Sequence, residues 1–544
     1  MNSNQVAPVS FPLAAAISLC ALAGTTALWW FGYAAGIAPF PPLDLADLII
    51  RESPGSLATW AISNLRFWAR ILVQVAGVAA VPLAAVLIAN YLRRHPGPGA
   101  AIRPAIIGAI ICSFIAVTIQ TSSGWSAVLW LPAWFGLTIA GPLALAGVWI
   151  ERLRIAAADN HPGDDAWAAA SFQHTRRTVL RNAAASAIVL GLFGWVGGLV
   201  ARSAGLGPTE TADNVPLDER MAELEAEATE QPPLPTAAPA DDLPDQFVAP
   251  EGVRPRVTAN EDFYVIDIST RKPAISDRQW TLKVHGMVRE PIEITYLDLL
   301  AMPAVEQWGT LMCISYFHDS GLISSTRWTG VPLRDLLQRT GILDGAVDLV
   351  LKGAGGYSDS IPVAKALERE TLLVYGMNGA TLPQEHGYPC RLYVPNIYGE
   401  KNVKWLEEIE VVDYDYQGYW QERGWSDDAV INIISEIDTP RDDLSPDERG
   451  IILVGGIAFA GSRGIDKVEL QIDDREWVEA EVEPYDPLLL WQRWKYEWDA
   501  EPGKHRLTVR ATDGMGNLQE SSVRDPYPDG ATGLHSVTLD VVQG

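Results

Sequence analysis

Long uncharged stretches dominate the first two hundred residues and restrict what they can become. Everything before Asp44 is uncharged, as are Ile71 to Leu92 and Pro104 to Ile150. Hydrocarbon about 30 Å thick is crossed by roughly 20 apolar residues of helix. These stretches and Asn182 to Ala201 predict five membrane spans, with cores at Phe11–Tyr33, Ile71–Leu92, Ala105–Ile119, Ala127–Ile150 and Asn182–Ala201. Arg93, Arg94 and Arg103 lie in one connection and Arg152, Arg154, Arg176, Arg177 and Arg181 in another, against Arg51, Arg66 and Arg70 in an acidic first loop. The arginine-rich connections belong in the cytoplasm, which puts everything after about Gly205 outside, in the periplasm or beyond the cell. The predicted spans hold no histidine and no charged residue, so the bundle reads as a multi-pass anchor rather than a haem carrier or transport path.

The charge balance changes sharply at Ala204. Before it stand 12 basic and 7 acidic residues, after it 29 basic and 60 acidic, giving net charges of +5 and −31. A surface so negative opposes the phosphate backbone and excludes nucleic acid as a partner. Just before the fifth predicted span, Thr175-Arg176-Arg177-Thr178-Val179-Leu180-Arg181 resembles a twin-arginine export signal, with a positive-inside anchor as the competing reading. From 205 to 251 the chain is rich in Pro, Ala, Asp and Glu. It reads as an acidic linker, in which Leu217 to Thr229 is expected as a solvated tether rather than a helix because its like charges repel. Residues 252–429 alternate short β-type runs with helical pieces such as Leu333 to Thr340, an α+β domain. Residues 430–544 read as strands separated by turns, an immunoglobulin-like β-sandwich.

Cys20, Cys112, Cys313 and Cys390 form neither a disulfide framework nor a metal knuckle or haem attachment motif. Cys313 ends an apolar strand-like run before a polar loop, a place that presents a thiolate, although a lone cysteine is commonly a small buried hydrophobe. Between His386 and Lys404 the chain gathers His386, Arg391, Lys401 and Lys404 with only Glu400 opposing them, inside an acidic domain. Two readings stand: an anionic cofactor held by these cations, or a surface ion-pair patch.

Taken together, Asn260 to Tyr264, the cysteine in LMCIS, RWTGVPLRDLL at 327–337, GGYSDSIP at 355–362, LPQEHGYPCRL at 382–392 and NVKWL at 402–406 resemble the sulfite oxidase family of molybdopterin enzymes. The tail, with RATDGMGNLQ at 510–519, resembles that family's dimerisation domain. The resemblance implies a molybdenum-molybdopterin cofactor with Cys313 as the metal thiolate, a soft donor to the metal. It implies pterin contacts from Tyr264, His386 and Arg391, and from Asn402, Val403 and Lys404 at the pterin phosphate. Cys390 is read as packing. Where sulfite oxidases carry arginines for the sulfite oxyanion, this chain has Ile266 and Phe317-His318, and Trp425 lies near the place of their tyrosine. Sulfite is therefore not assigned as the substrate. The expectation is two-electron oxygen-atom transfer on a small sulfur or nitrogen oxide. A separate carrier (cytochrome, copper protein or quinone) takes the electrons, and a homodimer is a further implication. The alternative is a non-catalytic, surface-anchored binding or scaffold protein that keeps the fold.

Overall fold

The computed structural model describes residues 10–34, 67–94, 142–153, 165–203, 215–227, 247–268, 272–441, 450–484 and 489–542, with isolated positions between 40 and 155. The chain divides into two compact units, residues 1–53, 67–210 and 268–271 in one and the remainder in the other.

The first unit is helical. Helix α1 (Phe11–Ala34) packs on both α2 (Phe67–Arg94) and α3 (Asp165–Ser203). Leu13, Ile17 and Trp29 of α1 share a core with Leu92, Leu143, Ile150, Val179 and Ala183. Away from that core, α2 exposes Leu72, Val75, Leu83 and Leu87, and α3 exposes Ile188, Val189 and Leu192. Among the described residues one helix, over Phe11–Phe31, is long and apolar enough to cross a membrane by length and composition. The expected five-helix bundle is corrected accordingly. One reason is visible in α3, which starts well before the expected fifth span and carries His174, Arg176, Arg177 and Arg181 within the same continuous helix. The third and fourth expected spans fall largely outside the described residues.

The second unit holds the chemistry. Its first helix, α4 (Leu217–Glu227), corrects the expected tether. Arg220 is buried and donates from Nε to Asp277 at 3.0 Å, the same carboxylate that accepts the Tyr388 hydroxyl at 2.7 Å. One internal counter-charge thus outweighs the repulsion along the helix. The strands that follow are β1 (Thr281–Gly286), β2 (Ile292–Thr295), β3 (Val305–Met312), β4 (Ile323–Pro332), β5 (Asp348–Gly353), β6 (Tyr357–Pro362), β7 (Leu372–Met377), β8 (Ala380–Thr381), β9 (Arg391–Tyr393) and β10 (Leu406–Val412). One sheet runs β2-β1-β10-β5-β6, and a second runs β3-β4-β7-β8 with β9 on β7. All pairings are antiparallel except β1 with β10. The helix at Leu333–Thr340 falls where the sequence places it and buries Leu333, Leu336 and Leu337, the spacing of one apolar face.

Strands β11 (Ile434–Thr439), β12 (Ile451–Phe459), β13 (Ile465–Ile472), β14 (Val478–Glu479), β15 (Glu481–Val482), β16 (Gln492–Asp499), β17 (Gly503–Asp513) and β18 (His535–Val541) complete the unit. They form two antiparallel sheets, β11-β12-β16-β15 and β14-β13-β17-β18. Ile437, Val454 and Trp494 from one meet Val468, Leu470, Leu507 and Val509 from the other in one core. This is a sandwich of two sheets. Trp491, Trp494 and Trp498 are all buried, as core packing requires.

Candidate active site

Cys313 follows the last residue of β3, and β4 begins at Ile323, so the thiol heads a hairpin loop. The neck is closed by its own backbone. Cys313 N–H donates to the Leu322 carbonyl at 3.0 Å, and Tyr316 N–H donates to the Cys313 carbonyl at 2.9 Å. Burial pushes the Cys313 thiol up to about 11, the backbone N–H of Ser315 opposing and the Glu400 carboxyl adding to the rise. An isolated thiol here stays protonated at neutral pH, and a bound cation would be needed to hold it as thiolate.

The basic segment is arranged in two turns and a short strand. His386 ends the 3-10 turn Gln384–His386, its ring edge-on to Phe263 at 5.2 Å and its Nε2 3.3 Å from the Asn260 carbonyl. Burial, then Arg391 and Lys404, lowers His386 to about 3, so it is neutral. Arg391 on β9 sends its hydrogen bonds to backbone carbonyls, those of His386 (3.0 Å), Asn402 (3.2 Å) and Leu392 (3.4 Å). Its guanidinium lies 5.3 Å from the Trp328 ring centre. Asn402 accepts Val394 N–H at 2.6 Å and donates to Tyr398 O at 3.1 Å, which fixes the turn before fully buried Val403. Lys404 pairs with Asp267 and donates to the carbonyls of Ile266 (3.1 Å) and Glu385 (3.0 Å). Gly387, at φ +110°, allows the approach, because a Cβ there would stand 3.0 Å from Lys404 Cβ and 3.1 Å from Arg391 Cβ.

His386, Arg391 and Lys404 are therefore brought together. Lys401 is not. It turns away from them, fully buried, to Asp359 (3.1 Å), Ser360 O (3.1 Å) and Asp427 (2.8 Å). Tyr264 stacks on Phe263 at 5.7 Å, and its hydroxyl lies so near Gly399 that a Cβ there would be 2.6 Å away. Burial and then Cys313 raise Tyr264 well above the ordinary tyrosine range.

Sequence reading missed what surrounds the thiol. The Tyr357 hydroxyl lies within donating reach of Asp359 and of Glu400 O, both at 2.8 Å, and Tyr398 is fully buried. Glu400 has both carboxyl oxygens buried, without a hydrogen-bond partner among the described residues. Burial, then Asp359, raises it far above the carboxylate range, so it is a neutral acid. The only sequence signal for it was its isolation among cations. His318 and the neighbouring Asp319 face the β-sandwich: His318 stacks on His535 at 4.9 Å, and Asp319 pairs with Arg441. Cys390 is fully buried among apolar neighbours, as expected of packing.

The cradle suits an anion on two grounds. Burial lowers Arg391 to about 10, with Tyr264 and Asp267 only partly compensating, and its bonds reach carbonyls rather than a carboxylate. Burial also lowers Lys404 despite Asp267, and repulsion from Arg391 and Lys272 adds to the fall. An added phosphate would relieve both.

Residues 269–420 match the oxidoreductase molybdopterin binding domain family. Mitochondrial sulfite oxidase of Mus musculus is 30% identical over 239 residues, covering 38% of this chain and 44% of that protein. The NAD(P)H nitrate reductase of Hordeum vulgare is 28% identical over 304 residues, covering 44% and 34%. The uncharacterised oxidoreductase YuiH of Bacillus subtilis is 29% identical over 147 residues, covering 27% and 72%. The chain spans less than half the length of the first two. Cys313, His386, Arg391, Asn402, Val403 and Lys404 all lie in the matched segment. With a thiol at a closed hairpin neck and a buried cationic cradle, residues 269–420 belong to the oxidoreductase molybdopterin binding domain family, which implies a molybdenum-molybdopterin cofactor.

Proposed function

We propose that this protein is a membrane-anchored enzyme of two-electron oxygen-atom transfer, acting outside the cytoplasmic membrane on a small sulfur or nitrogen oxide. The observation that carries this reading is Cys313 at the hairpin neck in the same domain as the Arg391 and Lys404 cradle. When bound, the cofactor supplies the oxo transfer and the two-electron change. Cys313 would hold the metal; Tyr264, His386 and Arg391 would hold the pterin, and Asn402, Val403 and Lys404 its phosphate. Buried Tyr398 and half-buried Tyr264 and Tyr357 keep their protons, since desolvation raises all three.

Sulfite is not the favoured substrate. Ile266 offers Lys404 a backbone carbonyl, and His318 stacks on His535, so neither position presents a guanidinium to a dianion. Electrons pass to a separate cytochrome, copper protein or quinone. The anchor is supported by the apolar α1 and by the leucines and isoleucines that α2 and α3 expose. Arg176, Arg177 and Arg181 are exposed on α3, which suits either an export signal or a cytoplasmic flank. The two-sheet region is read as an immunoglobulin-type module that pairs two copies.

Elemental analysis of detergent-purified protein tests the enzyme reading, alongside Cys313→Ser from the same cofactor-competent host. Near-stoichiometric molybdenum in the parent is expected, with the metal lost or its spectrum altered in the variant. Metal absent from a folded parent with verified cofactor supply overturns the reading and leaves a non-catalytic binding protein.

A further inference from the structure

The Cys313 loop is held from outside its own sheets. Glu436 on β11 is fully buried, and its carboxylate collects donors from segments far apart in sequence. One oxygen accepts the Tyr316 hydroxyl at 2.7 Å and the Arg254 guanidinium at 2.6 Å. The other accepts Asp319 N–H at 2.6 Å and lies 3.8 Å from Arg441. Tyr316 is the residue whose own N–H closes the turn on the Cys313 carbonyl. Two bonds therefore separate the Glu436 carboxylate from the backbone of the metal-binding residue.

The remaining contacts around this loop reinforce the same connection. Asp319 adopts φ +65° and joins Arg441 and, at 3.4 Å, His535 Nε2. His535 Nδ1 accepts Ile437 N–H at 2.9 Å, which leaves Nε2 as the protonated nitrogen facing Asp319. His318 lies flat on His535 with 25° between the rings. Arg254 also pairs with Asp438 at 2.7 Å, tying the segment before the catalytic sheets to β11. A buried carboxylate is costly unless its acceptor sites are filled, and every donor here comes from the loop, the opening segment or the turn after β11.

We infer that Glu436 is a positioning residue for the metal thiolate, setting through Tyr316 and Asp319 where Cys313 stands, so that the β-sandwich governs the geometry of the redox site. This rests on Cys313 being the molybdenum ligand, as proposed above. Glu436→Gln keeps the volume but turns an amide N–H toward one of the donors; Tyr316→Phe removes a single bond and leaves the ring packed. Glu469→Gln serves as control, a half-buried partner of Arg510 at 2.9 Å and Lys467 at 3.1 Å in the same sandwich.

Two measurements decide it. In the metal-free full chain in detergent, iodoacetamide labelling is followed separately at Cys313 and Cys390 by peptide mass spectrometry. The expected result is Cys313 labelling about tenfold faster in Glu436→Gln and Tyr316→Phe, with Cys390 unchanged and Glu469→Gln like the parent. Equal acceleration at both thiols, or none at Cys313, overturns the inference. In the metal-loaded protein, the thiolate-to-molybdenum absorption band and the Mo(V) magnetic resonance spectrum should shift in both variants at parental metal content, and unshifted spectra overturn it. Should the parent bind no molybdenum, the functional reading falls, while the labelling of the metal-free chain still decides whether Glu436 holds the loop.

Discussion

His318 shows how far one residue's role depends on what it faces. Burial, then neighbouring His535, lowers it to about 4, although Glu436 and Asp319 pull the other way. In the unfolded chain the same imidazole titrates near its ordinary value of about 6.5. Between about pH 4 and 6.5 the unfolded state thus binds a proton that the folded state does not, and stability falls as pH drops through that window. His535 is lowered in the same direction, chiefly by burial. After screening at a partly exposed site, about 1 to 2 kcal/mol is expected from His318. Chemical denaturation at pH 7 and pH 4.5 should show a smaller pH-dependent loss in His318→Phe, which keeps the ring stack without the titration, than in the parent. An equal loss in both proteins contradicts the assignment.

At the scale of elements, the turn and strand that build the cradle depend on Gly387. It closes the 3-10 turn in a left-handed conformation, and its bare Cα lets Arg391 and Lys404 come within reach of the same ligand. Gly387→Ala should cost about 1 to 3 kcal/mol of stability and weaken molybdenum retention, measured as a lowered melting temperature and metal lost on dialysis; unchanged retention argues against this packing. Local signals of this kind were legible in the sequence. Cys313 at a strand end, the helix Leu333–Thr340 and the strands of the sandwich follow from alternation, turn residues and apolar spacing. Contacts across long separations were not. Nothing near Lys401 in sequence announces that Asp359 and Asp427 draw it from the cradle, nor does anything near Arg220 announce Asp277, the counter-charge that makes a helix of an acidic segment. Glu400 was seen as an opposing charge, whereas its burial makes it a neutral acid.

Across the whole molecule the two units differ in the surface they present. Exposed apolar side chains on α2 and α3 each leave area that water disfavours by roughly 25 cal/mol per Å², while the residues after Ala204 carry a net charge of −31. The protein should remain in the membrane pellet after alkaline carbonate washing and be released by detergent, and release by carbonate alone contradicts an integral anchor.

The parallel pairing of β1 with β10 joins strands roughly 125 residues apart, whereas β3 and β4 pair across a short hairpin. Local pairings form early in folding and distant ones late, because a long loop must close first. The thiol hairpin can therefore assemble while the chain is still emerging from the ribosome. The sheet carrying β10, which directly follows Lys404, closes only after nearly the whole domain has been made. Between those two events lies an interval in which the thiol hairpin is formed and the strand that follows Lys404 is not yet tied to β1.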